Sequence, residues 1–296
     1  MGLFVVGICI VGFIAVSAFF ARQFTSPKPK PVGDFAPFLP ATTQAVRFTA
    51  TDGVALAGWF TPSANNTKAV VLLHGNGSTR RQMLARAGPL HGAGYAVLLY
   101  DARGHGESGG ALVSVGKYET RDLLGALAFV RAQGAREIGL VGVSQGGATI
   151  ALAGASLGPD IRWAVLESVY PNLRDAVDRR FRRMLGIPGW LGGILMVPIA
   201  EWRLGLSIDD IAPLENISRL PCPVFFLHGA ADTHTLGASA RALFDRAPSP
   251  KKLWLVPGAG HVDLYGFAKG DYEQQLLGFI AEVPSSFSAG PRAPTN

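Results

Sequence analysis

The chain has 296 residues, 48% of them hydrophobic and only 16% charged, with a mean hydropathy of +0.26. That excludes a largely disordered chain, and the length suits one α/β domain with appendages. The net charge is +6, but Arg22, Lys28 and Lys30 all precede the first acid, Asp34, and supply half of it. The remainder is mild for a domain of this size, so no nucleic-acid partner is expected. Cys9 and Cys222 are the only cysteines. Two cannot build a disulfide framework or, on their own, a structural zinc site.

Gly2 to Phe20 is apolar except for Ser17. At about 1.5 Å per residue such a helix nearly spans a ~30 Å hydrocarbon core. Only the α-amino group precedes the run, whereas a signal peptide wants a positive start, although Val16-Ser17-Ala18 offers small residues for cleavage. An uncleaved transmembrane anchor over residues 1–21 is therefore expected. The positive charges follow the span, which favours a cytoplasmic domain. Glycosylation tripeptides begin at Asn65, Asn76 and Asn216, and a glycan on Asn76 would block the chemistry assigned below. Residues 22–43 are Pro-rich and read as a stiff tether holding the domain off the bilayer, and 284–296 read as a disordered tail.

Between them, residues 44–283 alternate strand and helix patterns. Strands are predicted at 45–50, 54–61, 69–74, 95–101, 137–143, 162–168, 223–228 and 251–256. The first two form an antiparallel pair around Thr51-Asp52-Gly53. Later strands are continuous apolar runs such as VVLLH and VFFLHG, as a sheet covered on both faces requires. Helices are predicted near 80–93, 118–132, 146–156, 237–247 and 271–281. This alternation implies a mostly parallel, eight-stranded sheet with helices on both faces. Ligands bind such sheets at the carboxyl ends of strands.

Three segments match G-x-S-x-G, centred on Ser108, Ser144 and Ser156. Ser108 lies in a long loop and Ser156 ends a helix. Only Ser144, in Gly142-Val143-Ser144-Gln145-Gly146, follows a strand and runs straight into a helix, the setting that lifts a serine hydroxyl out of the sheet. A serine nucleophile needs a histidine base, and the base needs a carboxylate, in the chain order serine, acid, histidine. His74, His91 and His105 come too early, His228 lies inside a strand, and His234 follows the best acid by two residues. His261 remains, in the loop Gly258-Ala259-Gly260-His261 after a strand. Asp232, in the turn after strand PVFFLHG, is the favoured acid, with Glu167 as its rival. Two amides must meet the developing oxyanion. Gln145 N–H at the helix start is one. The other is expected from loop 74–77, with Asn76 N–H as candidate. His74 reads as a buried residue shaping that loop, and Asp101–Gly106 as a structural loop held by Asp–Arg pairing.

The pieces LLHGNG (72–77), YDARGHGESGG (100–110), GVSQGG (142–147), LHGAADTH (227–234) and PGAGH (257–261) resemble the α/β-hydrolase superfamily of serine hydrolases. The likeness covers about 45–282. Within it, the hydrophobic N-terminus and the opening DGVALAGWF (52–60) resemble the membrane-anchored, BEM46-like and prolyl-oligopeptidase-like hydrolases. The resemblance implies Ser144, Asp232 and His261 as a triad, and Asn76 and Gln145 as backbone oxyanion donors. His234 and Leu236 depart from the aliphatic residue and proline expected at their places. There is no propeller domain, which speaks against dipeptidyl-type peptidase specificity.

Residues 169–219 form an insert where this fold commonly carries a cap. Arg174, Arg179, Arg180, Arg182 and Arg183 cluster in its first half, and Gly186–Leu206 is apolar. It reads as a lid over an acyl pocket, as a patch resting on anionic lipid, or as ordinary packing on the sheet. The expected activity is serine hydrolysis of carboxylic esters or thioesters, small or lipid-like, through an acyl-enzyme and with no metal or cofactor. The alternatives are a peptidase or amidase of the same fold, and a noncatalytic scaffold.

Overall fold

The computed structural model describes residues 2–35, 38–186, 189–261 and 263–284. The chain opens with helix α1 (Gly2–Thr25). Eight strands then build one sheet: β1 (Gln44–Thr49), β2 (Ala55–Thr61), β3 (Lys68–Leu73), β4 (Ala96–Tyr100), β5 (Glu137–Val143), β6 (Ile161–Glu167), β7 (Val224–Gly229) and β8 (Lys251–Val256). Their order is β8-β7-β6-β5-β3-β4-β2-β1. β2 runs antiparallel to both β1 and β4, and the remaining neighbours are parallel. β4 and β7 are buried along their whole length, as parallel strands covered on both faces must be. β1 alternates exposed and half-buried residues because it is an edge.

Further helices are α2 (Leu84–Gly92), α3 (Glu119–Ala132), α4 (Gln145–Ala153), α5 (Leu173–Leu185), α6 (Gly189–Leu204), α7 (Gly237–Arg246) and α8 (Lys269–Glu282). One core cluster joins Leu123, Ala126, Ile150 and Leu243 of α3, α4 and α7 to the sheet. A second joins Leu84, Leu90, Tyr272 and Leu276 of α2 and α8. These are the two faces of the sheet. β4 and β5 flank β3 on opposite sides, so the strand order reverses there. Such a switch point opens a crevice at the strand ends.

Among the described residues no helix is long and apolar enough to cross a membrane. The transmembrane helix expected over residues 1–21 is therefore not found as such. What forms is α1, several of whose first ten side chains lie outside those described. Its second half packs on protein: Ala21 is buried, and Phe20 and Phe24 join a cluster with Phe181 of α5 and Met196 and Val197 of α6. Phe4, Ile8, Val11 and Val16 are exposed. Residues 26–35 lie along the domain. Lys28–Pro29 pairs in parallel with His105–Gly106, Val32 is buried, and the Phe35 and Trp59 rings meet edge to face at 5.7 Å. Of the tail expected over 284–296, residues 285–296 lie outside the described residues.

A buried ion pair ties the second face to the sheet. Arg86 of α2 donates from Nε and Nη2 to the two carboxylate oxygens of Glu167, at 2.7 and 2.6 Å, and Tyr272 of α8 donates to the same carboxylate. Both charged side chains are essentially inaccessible to solvent. Removing one partner strands the other charge in the interior. Glu167→Gln is expected to lower stability by about 3–5 kcal/mol in chemical unfolding, while the double variant Arg86→Met/Glu167→Leu recovers a large part. A single-variant loss below about 1 kcal/mol would mean that solvent reaches the pair.

Candidate active site

Ser144 follows β5 and precedes α4. Its backbone has φ +51° and ψ −110°, a conformation that non-glycine residues adopt only when neighbours enforce it. Two glycines make the turn possible. A Cβ on Gly146 would lie 2.3 Å from the Leu73 carbonyl oxygen of β3, and one on Gly142 would lie 2.5 Å from the Gly146 carbonyl carbon. Ser144 N–H donates to the Glu167 carbonyl at 2.7 Å. The two other serines in the same motif differ. Ser108 uses its hydroxyl structurally, donating to the Asp101 carbonyl at 2.6 Å and accepting from Ala57 N–H at 2.9 Å. Ser156 ends a 3-10 turn and is exposed.

The acid and base come from neighbouring strand ends. Ala230 N–H donates to Val256 O and Ala231 N–H to Ala259 O, both at 2.9 Å, which fastens the loop after β7 to the loop after β8. His261 Nδ1–H donates to Asp232 Oδ2 at 2.7 Å. The other carboxylate oxygen accepts the amides of His234 and Thr235 at 2.8 and 2.9 Å. Burial opposes the Asp232 charge, but the His261 bond and the Thr235 amide outweigh it and hold the acid below its ordinary value. The His261 tautomer, assigned from this network, leaves Nε2 free to accept a proton. Glu167, the rival acid, is fully engaged by Arg86 and Tyr272. Ser144 and His261 line one cavity, and no direct hydrogen bond joins them among the described contacts.

The loop after β3 offers one amide. Gly75 N–H is taken by Gln82 Oε1 at 2.8 Å and Gly77 N–H by His105 Nε2 at 3.0 Å. Asn76 N–H, between them, has no acceptor among the described residues. Gln145 N–H is the first amide of α4, a position with no helical carbonyl to meet. Two buried histidines hold this loop. His74 Nδ1–H donates to Gly75 O at 2.8 Å, and its Nε2 accepts Ala102 N–H at 3.0 Å. His105 Nδ1–H donates to Arg103 O at 2.9 Å. The Asp–Arg pairing expected around Asp101 is real, but its partner is Arg80, at 2.6 Å. Arg103 instead joins Asp52 and Asp122, at 2.8 and 2.7 Å.

A cavity of about 620 Å³ adjoins Ser144, His261 and Asn76. Its walls include residues beyond the expected triad and oxyanion donors. Phe19, Phe20 and Phe24 come from α1, and Arg179, Arg180 and Arg183 from α5. The arginines belong to the insert whose sequence reads as a lid, a lipid patch or ordinary packing, and α5 brings them to the cavity. Nothing in the sequence pointed to the α1 phenylalanines. His234 also borders the cavity and stacks flat on His261, with ring centroids 4.7 Å apart and planes 4° from parallel. Among the described residues no group of three His, Cys, Asp or Glu side chains could hold a metal ion.

Burial pulls His74 and His105 down to about 4 from an ordinary 6.5. Both accept backbone amides at Nε2, which a protonated ring cannot do. The folded values lie below the unfolded one, so unfolded chain takes up protons first as pH falls. Their stability contribution is full above about 6.5 and declines toward 4. Each histidine should therefore cost about 2 kcal/mol of stability between pH 7 and pH 5. Urea unfolding at the two pH values reads the loss, and His74→Gln is expected to remove about half of it. An unchanged pH slope in that variant would refute the assignment.

Residues 70–268 match the alpha/beta hydrolase family. The chain is 28% identical to the uncharacterized protein YfhR of Escherichia coli O157:H7 over 290 residues, covering 94% of this chain and 92% of the relative. It is 28% identical over 257 residues to the lysophosphatidylserine lipase ABHD12 of Danio rerio, covering 80% of this chain and 62% of the relative. The Pyrococcus furiosus esterase Pf2001 shares the fold, with a TM-score of 0.72 at 23% identity, over 87% of this chain and 98% of the esterase. The family match spans more than half of the sequence and carries the strand–turn–helix at Ser144, and on that ground the chain belongs to the alpha/beta hydrolase family.

Proposed function

We propose that the protein is a serine hydrolase that cleaves carboxylic esters or thioesters through an acyl-enzyme. The observation that carries this reading is the Asp232–His261 hydrogen bond beside a cavity that also contains Ser144 at its strained turn. Ser144 Oγ attacks the acyl carbon while His261 Nε2 takes its proton. Asp232 holds the ring and stabilises the imidazolium. The amides of Asn76 and Gln145 meet the oxyanion. His261 then returns the proton to the leaving group, and water repeats the sequence to free the serine. The names of the Pyrococcus esterase and the zebrafish lipase support an ester as the substrate.

A fluorophosphonate probe tests the nucleophile without choosing a substrate. Wild type, Ser108→Ala and Ser156→Ala are expected to label, and Ser144→Ala is not. Turnover of an activated ester should fall by about 10³-fold or more in Ser144→Ala and roughly 10²–10⁴-fold in Asp232→Asn. Labelling that survives Ser144→Ala would remove the nucleophile. A matched amide cleaved as fast as the ester would replace the esterase with an amidase.

The same reading places the protein at a membrane through α1, with the domain on the cytoplasmic side. Its support is the exposed row Phe4, Ile8 and Val11, since apolar patches of this kind mark interaction surfaces, and the positive charges after the apolar run. Wild type is expected in the pellet after an alkaline carbonate wash. Phe4→Glu/Ile8→Glu/Val11→Glu should move to the supernatant and still label at Ser144. A wild type released by the wash would end the membrane reading.

A further inference from the structure

The cavity beside Ser144 is lined by Lys28, Arg179, Arg180 and Arg183 and, among the described residues, by no carboxylate. Lys28 Nζ donates to the Phe24 and Ser26 carbonyls, both at 3.3 Å, so the three arginines are the cations to account for. On α5, Arg174 pairs with Asp209 and Arg182 with Asp178, whereas Arg179, Arg180 and Arg183 have no acidic partner among the described residues. Arg180 lies over the Phe24 ring at 5.3 Å. The α5 face toward the cavity changes along its length, from Leu173, Ala176 and Val177 to the three arginines. A concave site with one sign of charge and apolar walls concentrates ions of the opposite sign.

The cations share that cavity with the candidate catalytic groups. Arg179, Arg180 and Arg183 line it together with Ser144, His234 and His261, and His234 stacks on His261. α1 contributes Phe19 and Phe20 to the same wall.

We propose that the preferred substrates are acyl esters that carry an anionic group, a phosphate or a carboxylate, held by Arg179, Arg180 and Arg183. This rests on the serine hydrolase reading and adds the substrate class. Arginine suits the role because its planar fork donates two parallel hydrogen bonds to such oxyanions.

The test compares hexanoyl glycerol 3-phosphate with 1-hexanoylglycerol, using the full chain in neutral detergent at monomeric substrate concentrations. Wild type is expected to favour the phosphate ester by about tenfold or more in kcat/KM. In Arg179→Gln/Arg180→Gln/Arg183→Gln the ratio should fall toward one because the phosphate ester loses more than the neutral ester, and the corresponding triple Lys variant should retain part of the preference. Three results would overturn the proposal: no preference in wild type, a preference unchanged in the Gln variant, or an equal loss on both esters. A preference that appears only when anionic vesicles are added would assign the arginines to lipid headgroups and also overturn it. Cleavage of the neutral ester without anion preference defeats this inference alone. Absence of both neutral-ester cleavage and fluorophosphonate labelling of Ser144 defeats the hydrolase reading and this inference together.

Discussion

The backbone at Ser144 is held at a positive φ, and much of the site follows from what holds it there. Such a residue costs of order 1–3 kcal/mol and persists only when its surroundings over-determine it. Here the surroundings are two strands. β3 presses its Leu73 carbonyl against Gly146, and β6 accepts the Ser144 amide on the Glu167 carbonyl. The Glu167 side chain is in turn fixed by Arg86 and Tyr272. A buried ion pair below the sheet therefore positions the strand end that positions the serine. Glu167 serves the site through its main chain, and its carboxylate is structural.

The same arrangement recurs around the oxyanion loop. Arg80 bridges Asp101 and Glu107 at 2.6 and 2.5 Å. Arg103 bridges Asp52 and Asp122. Charged pairs fasten the loops after β3 and β4, so the histidines between them can stay neutral and spend their ring nitrogens on backbone groups. Gly75 and Gly77 have their amides occupied, which leaves Asn76 N–H, between them, as the loop amide without an acceptor among the described residues. An amide held in place before the reaction stabilises charge without reorganisation.

The strands were legible because most are short apolar runs between turn residues and the first, QAVRFT, alternates as an edge strand does. All eight formed, at or within about two residues of the expected ends. The turn at the candidate site was legible because its pieces are local: GVSQGG combines Ser144, the glycines that its turn needs and the amide that follows. Partnerships across the chain were not. Arg86 and Glu167 are 81 residues apart, and a strand-end carboxylate looks alike whether it orients a histidine or neutralises an arginine. Asp101 sits two residues from Arg103, yet geometry gives it Arg80. The packing of α1 was also hidden. A helix apolar on every side carries no stripe to show which flank meets protein, and the structure turns Phe20 and Phe24 toward α5 and α6.

That packing changes what the N-terminal helix is for. One end of α1 exposes Phe4, Ile8 and Val11, and the other contributes Phe19, Phe20 and Phe24 to the cavity at Ser144. Beyond it, Lys30 donates to the Gly77 carbonyl at 2.6 Å, one residue from the free Asn76 amide. Displacing α1 would remove one wall of the cavity and disturb the segment that touches the oxyanion loop. The helix belongs to the site by contact: Phe19, Phe20 and Phe24 line the cavity, and Arg180 of α5 lies over the Phe24 ring at 5.3 Å, so the aromatic wall and the cations meet there.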